Sequence, residues 1–134
     1  MKTIVRLMLV VMLMIVPMLM IVAAPAYAGE ATQMWRCELD DNISEEEVIA
    51  GAREWLKAAK TMKGGERLEA YVYFPVAVNA TGEMDVMFIV TAPTFEECGR
   101  FWDNYAGSPA DEVDKRNEKV VCPNSVLWES IKIK

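Results

Sequence analysis

Two apolar runs, Leu68–Val78 and Met84–Thr91, flank the short polar stretch Asn79-Ala80-Thr81-Gly82-Glu83. In the first run Leu68, Ala70, Val72, Phe74, Val76 and Val78 share one parity, opposite Glu69, Tyr71 and Tyr73. In the second, Met84, Val86, Phe88 and Val90 share one parity, opposite Asp85, Met87 and Ile89. Successive residues of a strand point to opposite faces, so alternation either side of a Gly-containing loop predicts a β-hairpin. That hairpin lies near the centre of Gly29–Lys134 and joins two similarly organised halves.

The residues before Gly29 read as an export signal rather than as part of the fold. Lys2 and Arg6 form a basic start, Leu7–Ala24 is apolar, and Ala26-Tyr27-Ala28 is a small-residue cleavage site. Residues 1–28 are thus expected to be cleaved, leaving 29–134 as a single domain that meets the membrane only through its export signal. The length of the apolar run makes an uncleaved anchor the alternative, against which Pro17 and the cleavage site weigh. No Cys closely follows the run, which argues against a lipid-anchored bacterial lipoprotein. The expected location is the periplasm or the medium.

Composition then narrows the chemistry. Six of the ten Met lie in the export signal, so the Met content says little about the domain. Gly29–Lys134 holds twelve basic and twenty acidic residues, a net charge of −8. A chain so acidic, with no basic cluster, is a poor partner for nucleic acid or anionic lipid. The sequence contains no His. That excludes His-based hydrolase triads, His general bases and His-ligated metal or haem. Carboxylates, tyrosines and a thiol remain for acid–base or nucleophilic work.

In chain order, Gln33–Leu39 alternates and reads as a first strand, followed by the turn Asp40-Asp41-Asn42. Ser44 with Glu47 has capping-box spacing, and Val48, Ala52, Trp55, Leu56 and Ala59 recur at helical spacing behind it. Gly64-Gly65 is the expected left-handed terminator of that helix. After the hairpin, Pro93 and Thr94 open a second helix, with Thr94 and Glu97 repeating the capping spacing. Phe95, Cys98, Phe101, Trp102 and Tyr105 give it a broad aromatic face, and Gly107-Ser108-Pro109 interrupts it. The charged segment Ala110–Lys119 reads as a short exposed helix. Ser125–Ile133 alternates again as a last strand.

The order β-α-β, hairpin, β-α-β predicts an α+β, ferredoxin-like βαββαβ fold: a four-stranded antiparallel sheet with two helices on one face. Such a sheet should be polar on its second face. Here the opposite parity offers Tyr71, Tyr73, Met87 and Ile89, joined by Trp128 from the last strand. Apolar residues on both parities mean that something covers the second face. A second copy is the leading candidate, since homodimers are the commonest oligomers. A hydrophobic small molecule, or the segment Ala110–Lys119 folded over the sheet, are the alternatives.

The strand order and this exposed aromatic face resemble the dimeric α/β-barrel superfamily, which includes antibiotic-biosynthesis-monooxygenase-like proteins. The Trp35-Arg36-Cys37 start and the Cys122–Ser130 end also resemble small exported bacterial proteins of unassigned function. The haem-degrading members of the superfamily use a His ligand, which this chain lacks, so that activity does not carry over. Fold likeness says little about chemistry. What it implies here is a dimer packed sheet to sheet.

Three Cys follow the signal. Cys98 falls on the apolar helix face, while Cys37 and Cys122 sit on strands expected to be antiparallel neighbours. A Cys37–Cys122 bridge is the best of the three pairings in an oxidising compartment. A reactive Cys98 is the functional rival, but neither a His nor an adjacent Lys is present to lower its pKa. Glu38, Asp40, Asp41 and Asn42 form an acidic cluster whose spacing fits no EF-hand loop, so neither a metal nor a cofactor is expected. Asn79-Ala80-Thr81 matches a glycosylation sequon and reads as turn chemistry.

Trp102, Asp103, Tyr105, Tyr73 and Trp128 could line an aromatic pocket, against the plainer expectation that Trp102 fills the helix–sheet core and Trp128 a dimer seam. Two functional classes therefore stand side by side. One is an exported homodimeric binding or structural module. The other is a cofactor-free, monooxygenase-like enzyme acting on a hydrophobic small molecule.

Overall fold

The computed structural model describes residues 29–76 and 86–133. The elements run β1 (Glu30–Leu39), α1 (Glu45–Ala59), β2 (Glu69–Tyr73), β3 (Val86–Ala92), α2 (Phe95–Asp103), α3 (Pro109–Arg116) and β4 (Val120–Ser130). The four strands form one antiparallel sheet in the order β2-β3-β1-β4, which is the ferredoxin-like arrangement. Asn79–Glu83 and Met84, the expected hairpin turn and the residue after it, lie outside the described residues, as do residues 1–28, whose sequence reads as an export signal. The strands the turn would join, β2 and β3, are paired as a hairpin requires, with Tyr71 opposite Ile89 and Tyr73 opposite Met87.

The helix starts follow the capping chemistry. Ser44 Oγ accepts from the Glu47 amide at 3.2 Å, and the Glu47 carboxylate accepts from the Ser44 amide at 2.9 Å, completing the box at the start of α1. At α2 only half of the box forms. Thr94 Oγ1 accepts from the Glu97 amide, but the Glu97 carboxylate turns away to Arg67, 2.6 Å from its Nη2.

Several boundaries differ from the sequence reading. Helix α1 ends at Ala59, capped by Lys60 in a right-handed conformation, so Gly64 is not its terminator. Gly64 has φ +87°, and a Cβ there would lie 2.7 Å from the Phe101 backbone nitrogen and 2.8 Å from the Glu97 carbonyl oxygen. Its role is to let the loop after α1 close against α2. Strand β4 begins at Val120, five residues earlier than expected. Its pairing with β1 shifts by one residue between Arg36 and Glu38, so Cys122 and Pro123 together face Cys37 in a β-bulge. Pro123 has no amide hydrogen to donate, and a bulge on an edge strand is where a sheet tolerates it.

The expected short helix forms, but its setting differs. The charged segment after Pro109 is a third helix, and it is docked rather than merely exposed. Ala110 and Val113 are buried in the main core, and Arg116 Nη2 reaches Glu54 Oε1 of α1 at 2.6 Å. Ser108 caps it by accepting from the Asp111 amide, with Pro109 in its first turn.

The helix side of the sheet holds two unequal clusters. The larger one gathers Ala31, Trp55, Leu68, Val90, Phe101 and Val113 among its buried members. The smaller contains only Cys37, Val48 and Val86 as fully buried residues. Phe101 is completely buried beneath Trp55, Trp102 and Tyr105, at ring-centroid distances of 5.9, 4.8 and 5.7 Å. Edge-to-face pairs of this kind add to the stability gained from area burial.

Candidate functional site: an apolar open sheet face

Strand register decides which side chains share the face that no helix covers. Pairing across all four strands sets Tyr71 of β2 opposite Ile89 of β3, Ile89 opposite Met34 of β1, and Met34 opposite Val126 of β4. This row is apolar from edge to edge. One flanking row runs Tyr73, Met87, Arg36 and Asn124, and the other Glu69, Thr91, Thr32 and Trp128. The trans-sheet pattern is thus an apolar band with polar groups on its flanks.

Ile89, at the middle of the band, is buried by its neighbours, but the edges are open. Tyr71 is 43% exposed, Tyr73 54%, Val126 51% and Trp128 56%. Tyr71 and Tyr73 lie side by side with tilted rings, at a centroid distance of 6.4 Å. The Tyr71 hydroxyl donates to Glu69 Oε2 at 2.6 Å, and this bond to a carboxylate pushes the phenol above its ordinary pKa. At the far edge, the Thr32 and Ser130 hydroxyls are bonded at 2.6 Å. The Tyr71, Thr32 and Ser130 hydroxyls are thus tied to neighbours on the same face.

The aromatic pocket weighed in the sequence does not assemble, and Trp102 packs against the helix–sheet core, as the plainer expectation has it. Tyr73 and Trp128 share the open face but lie on opposite edges of the sheet, on β2 and β4. Trp102 and Tyr105 are on the helix side, where Trp102 stands 5.6 Å from Trp35 and 4.8 Å from Tyr105. Asp103, at the end of α2, is exposed. Parity within a strand is legible in the sequence, but nothing in a helix's own sequence says which side of the sheet it will cover. Tyr105 serves the core instead. Its hydroxyl accepts from Trp55 Nε1 at 3.0 Å, and burial raises its pKa to about 12. A phenol so hard to ionise is a poor acid or base near neutrality.

Cys37 and Cys122 form a disulfide that closes an 85-residue separation and ties edge strand β4 to β1 at the bulge. A disulfide is characteristic of an oxidising environment. Cys98 is free and buried, and desolvation raises its thiol pKa, which disfavours the reactive thiolate. Among the described residues no cluster of His, Cys, Asp or Glu could hold a metal ion. Of the acidic cluster after β1, Asp40 has a local role: its carboxylate accepts from the Asn42 backbone and side-chain amides, which hold its pKa below the usual range.

Sequence reasoning missed a second feature, on the helix side. A hollow of about 440 Å³ opens between α1 and the turn from α3 into β4, over the smaller core cluster. Its floor includes Val72, Val86 and Phe88, with Trp55 and the disulfide at its sides. The small residues Gly51 and Ala52 at the middle of α1, which line it, are the available signal.

No protein-family model matches the sequence, and a search of curated proteins found no match. Solved structures do resemble the fold. At3g17210 from Arabidopsis thaliana is 11% identical with a TM-score of 0.54, covering 79% of this chain and 98% of that one. Hydroxynitrile lyase from Passiflora edulis is 10% identical with a TM-score of 0.52, covering 81% of this chain and 96% of that one. A dimeric protein of unknown function and ferredoxin-like fold from Bacteroides fragilis is 11% identical over 77% of this chain and 98% of that one, at a TM-score of 0.43. Likeness at such identities shows a shared fold alone, and it is the strand order β2-β3-β1-β4 that makes this fold ferredoxin-like.

Proposed function

We infer that the protein is an exported homodimeric binding or structural module whose two sheets pack face to face. The observation that carries this reading is the row Tyr71, Ile89, Met34 and Val126, apolar across the whole sheet and covered by no element of the described chain. A contiguous apolar patch of this kind on an otherwise strongly acidic chain marks an interaction surface. A second copy suits it because the flanks carry both signs of charge. Arg36 lies on one flanking row and Glu69 on the other, so an isologous interface can set the cation of one copy against an acid of its partner. Apolar centre and polar rim is the usual anatomy of such interfaces.

The disulfide and the signal-like residues 1–28 support export to an oxidising compartment, either periplasm or medium. The enzymatic alternative needs an aromatic pocket built from Trp102, Asp103, Tyr105, Tyr73 and Trp128. The sheet divides that set, which leaves the binding or structural module as the reading of choice.

Sedimentation velocity across a concentration series tests the proposal, with Val126→Glu as the comparison. The expected result is a wild-type dimer and a Val126→Glu monomer with the same circular dichroism. A wild-type protein that stays monomeric throughout the series would refute it, as would a variant that dimerises as well as the wild type.

A further inference from the structure

We propose that the hollow between α1 and the α3–β4 turn binds an apolar organic molecule bearing a single amine. This is separate from the dimer surface, which lies on the other side of the sheet. The hollow has the size and lining of a small-molecule site: about 440 Å³, floored by Val86 and Phe88 and walled by Val48 and Trp55. It exists because the helix side is unevenly filled. Trp55, Phe101 and Tyr105 crowd one end of the sheet, whereas the first half of α1 brings Gly51 and Ala52 over the other. Gly51 lets the Asn117 side chain lie close to that wall. A Cβ on it would come within 3.3 Å of the Asn117 side-chain amide, which lies against α1 at the rim.

Charge at the rim selects the head group. Five charged side chains line the hollow: Glu47, Asp114, Arg116, Glu118 and Lys119. Both cations are engaged by acids. Arg116 Nη2 stands 2.6 Å from Glu54 Oε1, and Lys119 Nζ stands 3.9 Å from Glu47 Oε1. Asp114 and Glu118 have no cationic partner among the described residues. The rim is therefore acidic in excess over a floor of apolar and aromatic groups. Such a site attracts a molecule with an apolar body and one positive charge, and the faces of Trp55 and Phe88 add a cation–π component where the charge lies near them. A carboxylate head on the same body would meet repulsion.

Three probes sharing one ring system separate these contributions: 1-naphthylmethylamine, 1-naphthalenemethanol and 1-naphthoic acid, each titrated into the disulfide-bonded protein at low salt and followed by amide chemical shifts. The amine should bind more tightly than the acid by roughly two- to fivefold, with the difference shrinking as salt is added. Shifts should concentrate at Val48, Val86 and Phe88. Ala52→Phe, which fills the hollow, should abolish binding. Glu118→Lys should narrow or reverse the preference for the amine while leaving thermal stability unchanged.

The mapping in the wild type keeps the test decisive even where Ala52→Phe folds poorly. Shifts confined to Tyr71, Tyr73 and Trp128 would place the probes on the open face and overturn the site. Absence of binding by all three probes would overturn it as well. An acid that binds as tightly as the amine would overturn the assigned ligand class.

Discussion

Both faces of this sheet carry an apolar row, and the two end up in different states. On the helix side, Trp35, Phe88 and Val90 lie under α1 and α2, and Phe101 is sealed from solvent. On the other side, Tyr71, Ile89, Met34 and Val126 form a row that is continuous and open at both edges. The difference shows that alternation alone does not sort a sheet into inside and outside. It marks which faces are apolar, and the remaining elements of the chain decide which of them is covered. Three helices are enough for one face. Edge strand β4 extends the contrast: Leu127 of its helix-side parity and Trp128 of its open parity are both more than half exposed.

The largest effects should come from disturbing the covered face. Phe101→Ala removes a fully buried ring at the centre of the larger cluster, and is expected to cost about 3–5 kcal/mol in urea unfolding. Substitution of Trp128 by Ala should cost well under half as much in a protein held monomeric by Val126→Glu. Comparable losses for the two would mean that the open face is already filled within one chain.

Reduction of the Cys37–Cys122 bridge comes next. In the chain-entropy model a loop of this length is worth up to about 4–5 kcal/mol, less if reduction relieves native-state strain. The urea midpoint should fall on reduction, while a Cys98→Ser protein should show the same fall, because Cys98 takes no part in the bridge. An unchanged midpoint would mean that β4 is held to β1 by pairing and packing alone.

Smaller changes probe single contacts under the helices. Trp55→Phe keeps most of the ring packing but removes the donor to the Tyr105 hydroxyl, with an expected loss of about 1–2 kcal/mol. Ser44→Ala removes the capping oxygen of α1, for about 1 kcal/mol.

The smallest effect is a pH dependence. Hydrogen bonds donated by backbone amides to the carboxylates of Asp40, Glu47 and Asp111 hold their pKa values below the ordinary range. Their folded pKa values are thus lower than their unfolded ones. The stability they contribute is present above the unfolded value and is lost as the pH falls through the folded one. Urea midpoints should be flat near neutrality and decline only in the acidic range, with a shallower decline in Glu47→Gln. A fall between pH 6 and pH 8 is not expected from a chain without His, and would point to an unrecognised titrating group.

Where the sequence was legible, a local physical rule set the outcome. Strand parity placed Tyr71, Tyr73, Met87 and Ile89 on one face, and Ser44 with Glu47 marked the start of α1. The pairing of Cys37 with Cys122 followed from the expected adjacency of the first and last strands. What escaped depended on contacts distant in sequence. The start of β4 at Val120 escaped because the alternation begins only at Ser125, beyond the bulge that accommodates Pro123. Two buried residues, Ala110 and Val113, are enough to dock a helix that otherwise reads as solvent-exposed. Gly64 resembled a helix stop because its need for a left-handed backbone was visible while its neighbour, the α2 backbone, was not. Trp102 packs in the core as its place on an aromatic helix face suggests, whereas a pocket shared with Tyr73 would need α2 to reach the other side of the sheet.

The most direct test of face-to-face association is an isotope-filtered NMR experiment on a mixture of labelled and unlabelled protein. Intermolecular contacts from the Val126 methyl groups and the Trp128 ring to open-face residues of the other copy are predicted. A dimer whose intermolecular contacts arise from α1, α2 or α3, with none from Val126 or Trp128, would contradict the account.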